Sequence, residues 1–283
     1  MHRESNHQPK ITKHGIRRGM NMVMEKAQVL WNKKLGASYY RIGLNCSRKF
    51  ISASPGQFVM LRLTDRTSPL LSRPFSVHRI IEGEKGIEIL YRVVGEFTGR
   101  LSEVKDGEGV DITGPLGKGF SLPENIRRIF IVAGGIGVAP LLFLATHILE
   151  KKMAGSSNIK VFLGARSKED LLCMDNFINL GLDVMITTDD GSEGETCLIT
   201  NPVEASLKEK RPEVIYACGP SGMLKCLAGI AETYKVPCQI SAESVMACGI
   251  GACLGCAIEG KDEGRYLHVC MDGPVFDSRD IRF

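Results

Sequence analysis

The chain has 283 residues and lacks any apolar run near the roughly 20 residues that a membrane-spanning helix needs. Its N-terminus also lacks the apolar core of a secretory signal peptide. The chain also lacks a large excess of charge of one sign. Its formal net charge is +4, which is too small to indicate nucleic-acid binding. We therefore expect a cytoplasmic protein that binds neither nucleic acid nor membrane.

Part of the positive charge lies within the first eighteen residues of the chain. The residues concerned are Arg3, Lys10, Lys13, Arg17 and Arg18. Such a run is more often a solvated tail than a binding arm. We predict a disordered basic tail over residues 1–23.

A disulfide framework is also excluded, although the chain has 10 cysteines, because cytoplasmic proteins rarely keep disulfides. Six cysteines are scattered, and most of these are expected to be small, buried, apolar side chains. They are Cys46, Cys173, Cys197, Cys218, Cys226 and Cys238. The remaining four are bunched near the C-terminus, which calls for a different explanation.

The bunched cysteines follow a C-x4-C-x2-C pattern with a fourth cysteine further along. They are Cys248, Cys253, Cys256 and Cys270. This is the spacing of plant-type [2Fe–2S] ligation. Gly249, Gly251 and Gly255 would allow a tight loop whose N–H groups approach the sulfurs. Zinc, which usually takes paired C-x2-C knuckles, and unligated thiols remain the alternatives.

Residues 24–123 contain short β-rich segments between turn signals, a pattern that predicts an antiparallel β-barrel. The predicted strands are Ala27–Trp31, Tyr39–Asn45, Phe58–Leu63, Phe75–Ile80, Ile87–Val94 and Gly109–Thr113.

Residues 124–236 alternate apolar strands with helical patterns, which predicts a parallel sheet with helices on both faces. The strands are Ile129–Ala133, Val161–Ala165, Val184–Thr188 and Val214–Cys218, and the helices are Val138–Met153, Lys168–Leu180 and Ser221–Tyr234.

Residues 237–283 are rich in Gly and Cys and too short for a core of their own. We expect a bound cluster, rather than apolar burial, to hold that small domain together.

A glycine-rich turn joins the first strand of residues 124–236 to the first helix of that region. It contains Gly134, Gly135, Gly137 and Pro140. Glycines allow a phosphate to approach the backbone, and a helix N-terminus supplies N–H groups. The G-x-G-x-x-G fingerprint is absent, so a tight turn without a ligand is the alternative.

A second turn, Cys218-Gly219-Pro220, follows a later strand at the same end of the predicted sheet. Ligands of open α/β sheets bind beyond the carboxyl ends of the strands. Together the two turns favour a nucleotide site.

Several motifs of the chain resemble the flavin-binding and nicotinamide-binding elements of the ferredoxin reductase superfamily. They are Arg73-Pro74-Phe75-Ser76, Leu90-Tyr91-Arg92, Gly95-Glu96-Phe97-Thr98, the Gly-Pro-Leu-Gly stretch at 114–117 and the two glycine turns. The order of barrel, nicotinamide domain and cluster resembles the electron-transfer subunits of class 1B dihydroorotate dehydrogenases over residues 24–283. The segments 246–256 and 269–277 carry the most specific part of this resemblance.

The resemblance implies FAD and a [2Fe–2S] cluster as cofactors, with NAD as substrate. It implies an FMN-containing catalytic partner in a heterotetramer of two plus two subunits. Electrons would pass from that FMN through the cluster and FAD to NAD⁺, in pyrimidine biosynthesis. The chain itself needs no catalytic acid or base, and His78, His147 and His268 are expected to be structural. An exposed apolar face around the cluster is expected to dock on the partner.

The resemblance also implies roles for single residues. Arg73 would pair with the FAD phosphates, Ser76 would lie near flavin N5, and Leu90 to Arg92 would contact the flavin. Phe97 stands where the family usually has glycine, which puts the backbone contact with the pyrophosphate in doubt there. It leaves the Thr98 hydroxyl for that contact.

Two other functions compete with this interpretation. One is a subunit of another NAD(P)H:ferredoxin oxidoreductase or of a sulfide dehydrogenase. Some of those proteins have Asp at the first ligand position, so Cys248 favours the dihydroorotate-type subunit. The other is a zinc-stapled nucleotide-binding regulator. Arg166 and Lys168 would suit a 2′-phosphate, but the family's use of NAD favours solvated loop charges there.

Overall fold

The computed structural model describes residues 22–36, 38–64, 68–81, 83, 85–123 and 126–283. The tail predicted over residues 1–23 lies almost wholly outside the described residues. No helix in these ranges is both long enough and apolar enough to cross a membrane.

The N-terminal part of the chain forms a seven-stranded antiparallel sheet, which confirms the predicted barrel. Its strands are β1 (Val23–Lys34), β2 (Tyr39–Asn45), β3 (Phe58–Leu63), β4 (Arg73–Ser76), β5 (Arg79–Ile81), β6 (Gly86–Arg92) and β7 (Gly109–Leu116), with short helices α1 (Arg48–Ile51) and α2 (Glu96–Ser102). The order across the sheet is β4-β3-β7-β1-β2-β6-β5. Alternate residues of β7 are buried, as the two-residue period of a half-buried strand requires.

The single strand predicted over Phe75–Ile80 is wrong, because the chain breaks at Val77 and His78. Before the break β4 pairs with β3, and after it β5 pairs with β6. Strands β4 and β5 lie at opposite ends of the sheet order, so the break carries the chain from one edge to the other. The His78 N–H still donates to the Glu88 carbonyl of β6 at 2.9 Å.

The following part of the chain is an α/β unit, as predicted. Its elements are β8 (Ile129–Gly134), α3 (Val138–Glu150), β9 (Ile159–Ala165), α4 (Met174–Asn179), β10 (Asp183–Thr188), α5 (Thr200–Glu209), β11 (Val214–Cys218), α6 (Ser221–Tyr234) and β12 (Cys238–Ser241). The strands run parallel in the order β10-β9-β8-β11-β12.

The helix predicted over Lys168–Leu180 is wrong in its first half. A 3-10 turn covers Lys168–Asp170, and α4 begins only at Met174. Between them Cys173 has φ +61°, a left-handed conformation that an α-helix cannot include. The helix α5 was not predicted, because Pro202 and polar residues obscure its periodicity.

The C-terminal segment contains three short strands, β13 (Ala257–Glu259), β14 (Tyr266–His268) and β15 (Val275–Asp277). Strand β15 pairs antiparallel with β12 and so extends the sheet of the α/β unit. Buried Leu267, Val269 and Phe276 share a core with Met60 of the barrel and Ile240 of β12. The expectation that a bound cluster must replace apolar burial in this segment is therefore incomplete, since the segment uses its neighbours' core.

A buried joint connects the barrel to the α/β unit. Phe143 of α3 packs into the barrel core, and Leu90 of β6 packs into the core of the α/β unit. His78 is 1% exposed, and its Nδ1 lies 2.8 Å from the Ala139 carbonyl oxygen in α3. Tyr39 adds a second polar link by donating its hydroxyl to Asp170 at 2.8 Å.

The burial of His78 makes the stability of the protein depend on pH. Burial lowers the pKa of His78 to about 4 from an unfolded value near 6.5. Below pH 6.5 His78 is therefore protonated in the unfolded chain but stays neutral in the folded protein. The free energy of unfolding consequently falls as the pH drops towards 4. Between pH 7 and pH 5 we expect His78 to contribute a loss of about 2 kcal/mol in the free energy of unfolding.

Urea unfolding of the wild type and of His78→Asn at both pH values measures this contribution. The variant removes the titrating ring, so its loss on acidification should be smaller than that of the wild type by that amount. Equal decreases in the free energy of unfolding of the two proteins between pH 7 and pH 5 would contradict the prediction.

Candidate functional site

The two predicted glycine turns meet at one cavity of about 860 Å³ beyond the carboxyl ends of the parallel strands. Gly134, Gly135 and Gly137 line it from one side, and Gly219 and Pro220 from the other. Pro140 and Cys218 do not line this cavity: Pro140 is buried in the first turn of α3 and Cys218 at the end of β11. The structure thus brings together most, though not all, of the residues predicted for the nucleotide.

The glycines of these turns differ in what they make possible. A Cβ on Gly134 would lie 2.7 Å from Pro220 Cδ, so this glycine allows the two turns to pack together. Gly135 has φ +52°, and a Cβ there would meet nothing within 4 Å. Open backbone next to the N-terminus of the 13-residue helix α3 fits a dinucleotide phosphate.

Sequence reasoning missed several residues that line the cavity. They are Tyr39 and Asp170 at the joint, Asp189 after β10, Glu243 after β12, and Arg282 and Phe283 at the chain end. The turn after β10 carried a signal, because it follows an apolar strand at the same edge of the sheet. The last two residues carried none, because only the tertiary fold brings them there. Burial in the cavity wall raises the pKa of Glu243.

The three segments predicted to bind FAD meet through their aromatic rings. The Phe75 ring lies 6.0 Å from the Tyr91 ring and 6.1 Å from the Phe97 ring, measured between centroids. The Arg73 guanidinium lies 5.7 Å from the centroid of Phe97. Arg73, Pro74, Phe75 and Ser76 are all half-buried in β4. Phe97 therefore supplies a buried ring that supports Arg73.

Two of the predicted flavin contacts have side chains that point elsewhere. Leu90 is buried in the core of the α/β unit, and the buried Tyr91 donates its hydroxyl to Asn32 at 3.0 Å. Arg92 is half-buried; it lies 5.4 Å from the centroid of the Tyr39 ring and lines the large cavity. Any contact of Leu90 and Tyr91 with the flavin would thus be made by their backbone.

The Thr98 hydroxyl is engaged within its own turn. It accepts the N–H groups of Val94 at 2.9 Å and Gly95 at 3.2 Å, and donates to the Gly95 carbonyl at 3.1 Å. A Cβ on Gly95 or Gly99 would meet nothing within 4 Å, so the backbone here is open. This open backbone beside a half-buried arginine fits a pyrophosphate, whereas a role for the Thr98 hydroxyl towards FAD stays a prediction.

Arg73 offers a direct test of the FAD site. Its Nη1 donates to the carbonyls of Leu71 and Ser72, and within the described residues its Nη2 makes no hydrogen bond. Replacement of Arg73 by Ala should weaken FAD binding roughly 10- to 100-fold, the value of one or two charge-assisted hydrogen bonds.

The control for this variant is Arg62→Ala on the adjacent strand β3, where the guanidinium pairs with Asp111 at 2.8 Å. Fluorescence titration of apoprotein with FAD measures both dissociation constants. Equal affinities for the two variants would remove Arg73 from the site.

The four bunched cysteines form two contacting pairs. Cys256 and Cys270 are buried, with their sulfurs 3.2 Å apart. Cys248 Sγ accepts the N–H groups of Ile250 and Cys253 at 3.4 Å each. Hydrogen bonding by the Gly255 N–H, and then the contact with Cys248, lowers the pKa of Cys253 to about 7. Burial, and then the contact with Cys256, raises the pKa of Cys270 to about 12.

The paired arrangement distinguishes between the two metals considered. A structural zinc ion needs four ligands around one point. Two contacting cysteine pairs fit a dinuclear cluster, in which each pair would hold one iron.

Two of the three glycines predicted to shape the cysteine loop have positive φ, and Gly255 does not. Gly249 has φ +71° and Gly251 has φ +78°. A Cβ on Gly249 would lie 2.6 Å from Met60 Cγ, and one on Gly251 would lie 2.7 Å from Met271 Cγ. Both positions therefore need glycine for conformation and for packing.

Exposed apolar side chains lie in and just before the cysteine loop, as expected. Val245 is 85% exposed, Leu254 59% and Ile250 38%. We refer to these three residues as the cluster-side apolar face. Among the four cysteines only Cys253 is exposed, and Leu254 of this face is its neighbour in the chain.

The cysteine assignment predicts a contrast between two buried cysteines. Replacement of Cys270 by Ser should abolish most of the protein's iron, acid-labile sulfide and broad visible absorption. Cys238→Ser is the matched control, since Cys238 is equally buried but lies in β12 outside the loop. Iron and sulfide analysis of both variants checks this. A colourless wild type with stoichiometric zinc would refute the assignment.

Three protein-family models match the chain in the order of its structural units. Residues 22–120 match the oxidoreductase FAD-binding domain, and residues 131–228 match the oxidoreductase NAD-binding domain. Residues 243–282 match the iron–sulfur cluster binding domain of dihydroorotate dehydrogenase B.

Solved structures share this architecture. The structure of an NADH-dependent reduced ferredoxin-NADP oxidoreductase superposes with a TM-score of 0.79 at 28% identity, covering 90% of this chain and 89% of that chain. The ferredoxin reductase of carbazole 1,9a-dioxygenase superposes with a TM-score of 0.66 at 22% identity, covering 78% of this chain and 69% of that chain. The second likeness shows the fold alone.

Curated relatives match over almost their whole length. A protein from Caldanaerobacter subterraneus subsp. tengcongensis is 41% identical over 260 residues, covering 91% of this chain and 98% of the relative. One from Desulforamulus reducens is 39% identical, covering 81% of this chain and 87% of the relative. Each is named as the electron transfer subunit of dihydroorotate dehydrogenase B (NAD(+)).

Fold, site and domain order define an oxidoreductase with FAD-binding, NAD-binding and [2Fe–2S]-binding parts. The family that the motifs indicated is confirmed by these relatives. The chain belongs to the family of electron transfer subunits of dihydroorotate dehydrogenase B (NAD(+)).

Proposed function

We propose that this chain carries electrons from the FMN of a dihydroorotate dehydrogenase catalytic subunit to NAD⁺, in a cytoplasmic heterotetramer of two plus two subunits. One observation carries the proposal. The chain contains both a cysteine loop with exposed apolar side chains and, at a separate place, a cavity that fits a dinucleotide. When bound, the cluster exchanges single electrons, NAD⁺ accepts a hydride, and FAD converts between one-electron and two-electron transfer.

The chain's own residues divide this task into segments. We assign residues 24–123 to FAD, 124–236 to NAD and 237–283 to the cluster. Arg73 would hold phosphate charge, and the half-buried Ser76 would orient the flavin edge. The two glycine turns would seat the dinucleotide phosphates, while Cys248, Cys253, Cys256 and Cys270 would hold the two irons.

Local charges at the end of β9 support NAD over NADP. Lys168 Nζ is paired with Glu193 at 2.9 Å. Backbone hydrogen bonds place Asp189 next to Ala165 and Asp190 next to Arg166. The two basic residues that would suit a 2′-phosphate thus have acidic neighbours, which would repel it.

Co-expression with the catalytic subunit encoded in the same genome tests the proposed function. The purified complex should contain FMN, FAD, iron and sulfide, and should reduce NAD⁺ with dihydroorotate. Mass measurement should show two copies of each subunit. A complex active with sulfide or ferredoxin but not with dihydroorotate would establish the competing oxidoreductase function instead.

The cluster-side apolar face provides a sharper prediction. Leu254→Asp should weaken association with the catalytic subunit at least about tenfold, because a carboxylate would be buried without a partner at the interface. The matched control is Ile178→Asp on α4, where the side chain is 50% exposed and outside the cysteine loop.

Both docking variants should retain iron content and NADH oxidation with a small-molecule acceptor. Titration of the catalytic subunit, followed by light scattering, measures the association. Equal weakening by the two substitutions, or by neither, would place the interface elsewhere.

A further inference from the structure

His78 connects two segments that must be aligned with each other. It follows the half-buried Ser76 of β4 by two residues in the chain. Its Nδ1 reaches the carbonyl of Ala139, which lies two residues after Gly137 of the dinucleotide turn. One buried side chain therefore spans from the segment predicted to contact the flavin to the segment predicted to hold the nicotinamide dinucleotide.

The direction of the hydrogen bond follows from the chemistry of its partner. A carbonyl oxygen only accepts, so His78 Nδ1 carries the proton. Burial lowers the pKa of the imidazole to about 4, which keeps the ring neutral at pH 7 and leaves a lone pair on Nε2. This nitrogen faces Cys173 Sγ at 4.0 Å and Glu88 Oε1 at 3.6 Å.

Cys173 adds a second tie across the same joint. Burial raises the pKa of its thiol to about 12, so the thiol stays protonated and can donate to Nε2. Cys173 precedes α4 in the α/β unit, whereas His78 belongs to the barrel. The ring thus accepts from one element of the α/β unit while it donates to another.

The Ala139 carbonyl is a stiff attachment point. It lies in the first turn of α3, four residues before Phe143, which is buried in the barrel core. A displacement of this turn would therefore move the dinucleotide turn against β4. Hydride transfer is sensitive to such a displacement, since an error of about 1 Å between reacting groups costs roughly 100-fold in rate.

We propose that His78 is a positioning residue, which sets the dinucleotide turn at Gly134–Gly137 against the flavin-contacting strand β4 and so fixes the distance for hydride transfer. This inference rests on the proposed function, because it concerns the exchange between FAD and the nicotinamide. It assigns His78 no contact with either cofactor and no proton transfer.

Two substitutions of His78 separate the hydrogen bond from the space that the ring fills. His78→Asn places an amide nitrogen where Nδ1 stands and keeps the donor. His78→Leu fills similar volume without any donor. Tyr216→Phe is the control, because it also deletes one buried side-chain donor to a carbonyl, that of Ser121 at 3.0 Å, which lies between β7 and β8 and belongs neither to β4 nor to the dinucleotide turn.

The full-length subunit, loaded with FAD and cluster, is mixed anaerobically with NADH, and flavin reduction is followed in a stopped-flow instrument. For His78→Leu we expect the limiting rate to fall roughly 10- to 100-fold while the dissociation constant for NADH stays within about twofold. His78→Asn should regain most of the rate, and Tyr216→Phe should match the wild type.

Two further measurements do not depend on turnover. The long-wavelength charge-transfer absorbance, which reports nicotinamide stacked on flavin, should fall in His78→Leu and return in His78→Asn. Amide hydrogen exchange over residues 138–143 should be faster in His78→Leu alone.

The outcomes distinguish this inference from the function on which it rests. A wild-type flavin that NADH does not reduce would end both. A reactive wild type with an unchanged limiting rate and absorbance in His78→Leu would overturn only the positioning role. That role is also overturned if His78→Asn is as slow as His78→Leu, or if Tyr216→Phe is equally slow, because then general loss of packing explains the effect.

Discussion

The apolar core around Met60, Leu116 and Ile240 holds the cysteine segment against the barrel and the parallel sheet at once. The segment is too short to bury such a core alone, so its order depends on that of both neighbours. Hydrogen bonds follow the same path, since the Lys118 N–H donates to the Gly273 carbonyl at 2.6 Å. The cysteine loop consequently has one position relative to the strands that carry the flavin motifs.

Several glycines near the predicted sites are needed for close packing between protein elements, and not only for the approach of a cofactor. Sequence reasoning assigned them to cofactor approach, because glycine allows a ligand near the backbone. The structure shows that Gly249 is packed against Met60 and Gly134 against Pro220. A glycine next to a site thus serves first to bring protein elements together. Gly135 is the contrasting case, with open space where its side chain would be.

Local sequence predicted those elements whose pattern and tertiary surroundings agree. Strands β2, β3 and β11 and helix α6 begin and end where apolar periodicity placed them. The failures at Phe75–Ile80 and Lys168–Leu180 both lie at the joint between the barrel and the α/β unit. At His78 and Cys173 the backbone departs from regular structure to let the two side chains meet. No local propensity records a contact between residues 95 positions apart.

The site was predictable to the extent that its residues recur in motifs along the chain. The cysteine spacing and glycine turns gave the cluster loop and half of the dinucleotide cavity. The other half includes Asp170 at the joint and Arg282 and Phe283 at the chain end, and the last two reach the cavity after β15 returns the chain to the edge strand β12. The cysteine segment directly precedes β15, so the C-terminal part of the chain carries both the four cysteines and part of the wall of the cavity proposed for the dinucleotide. We therefore expect a change in the packing of the cysteine segment to alter the wall of this cavity as well.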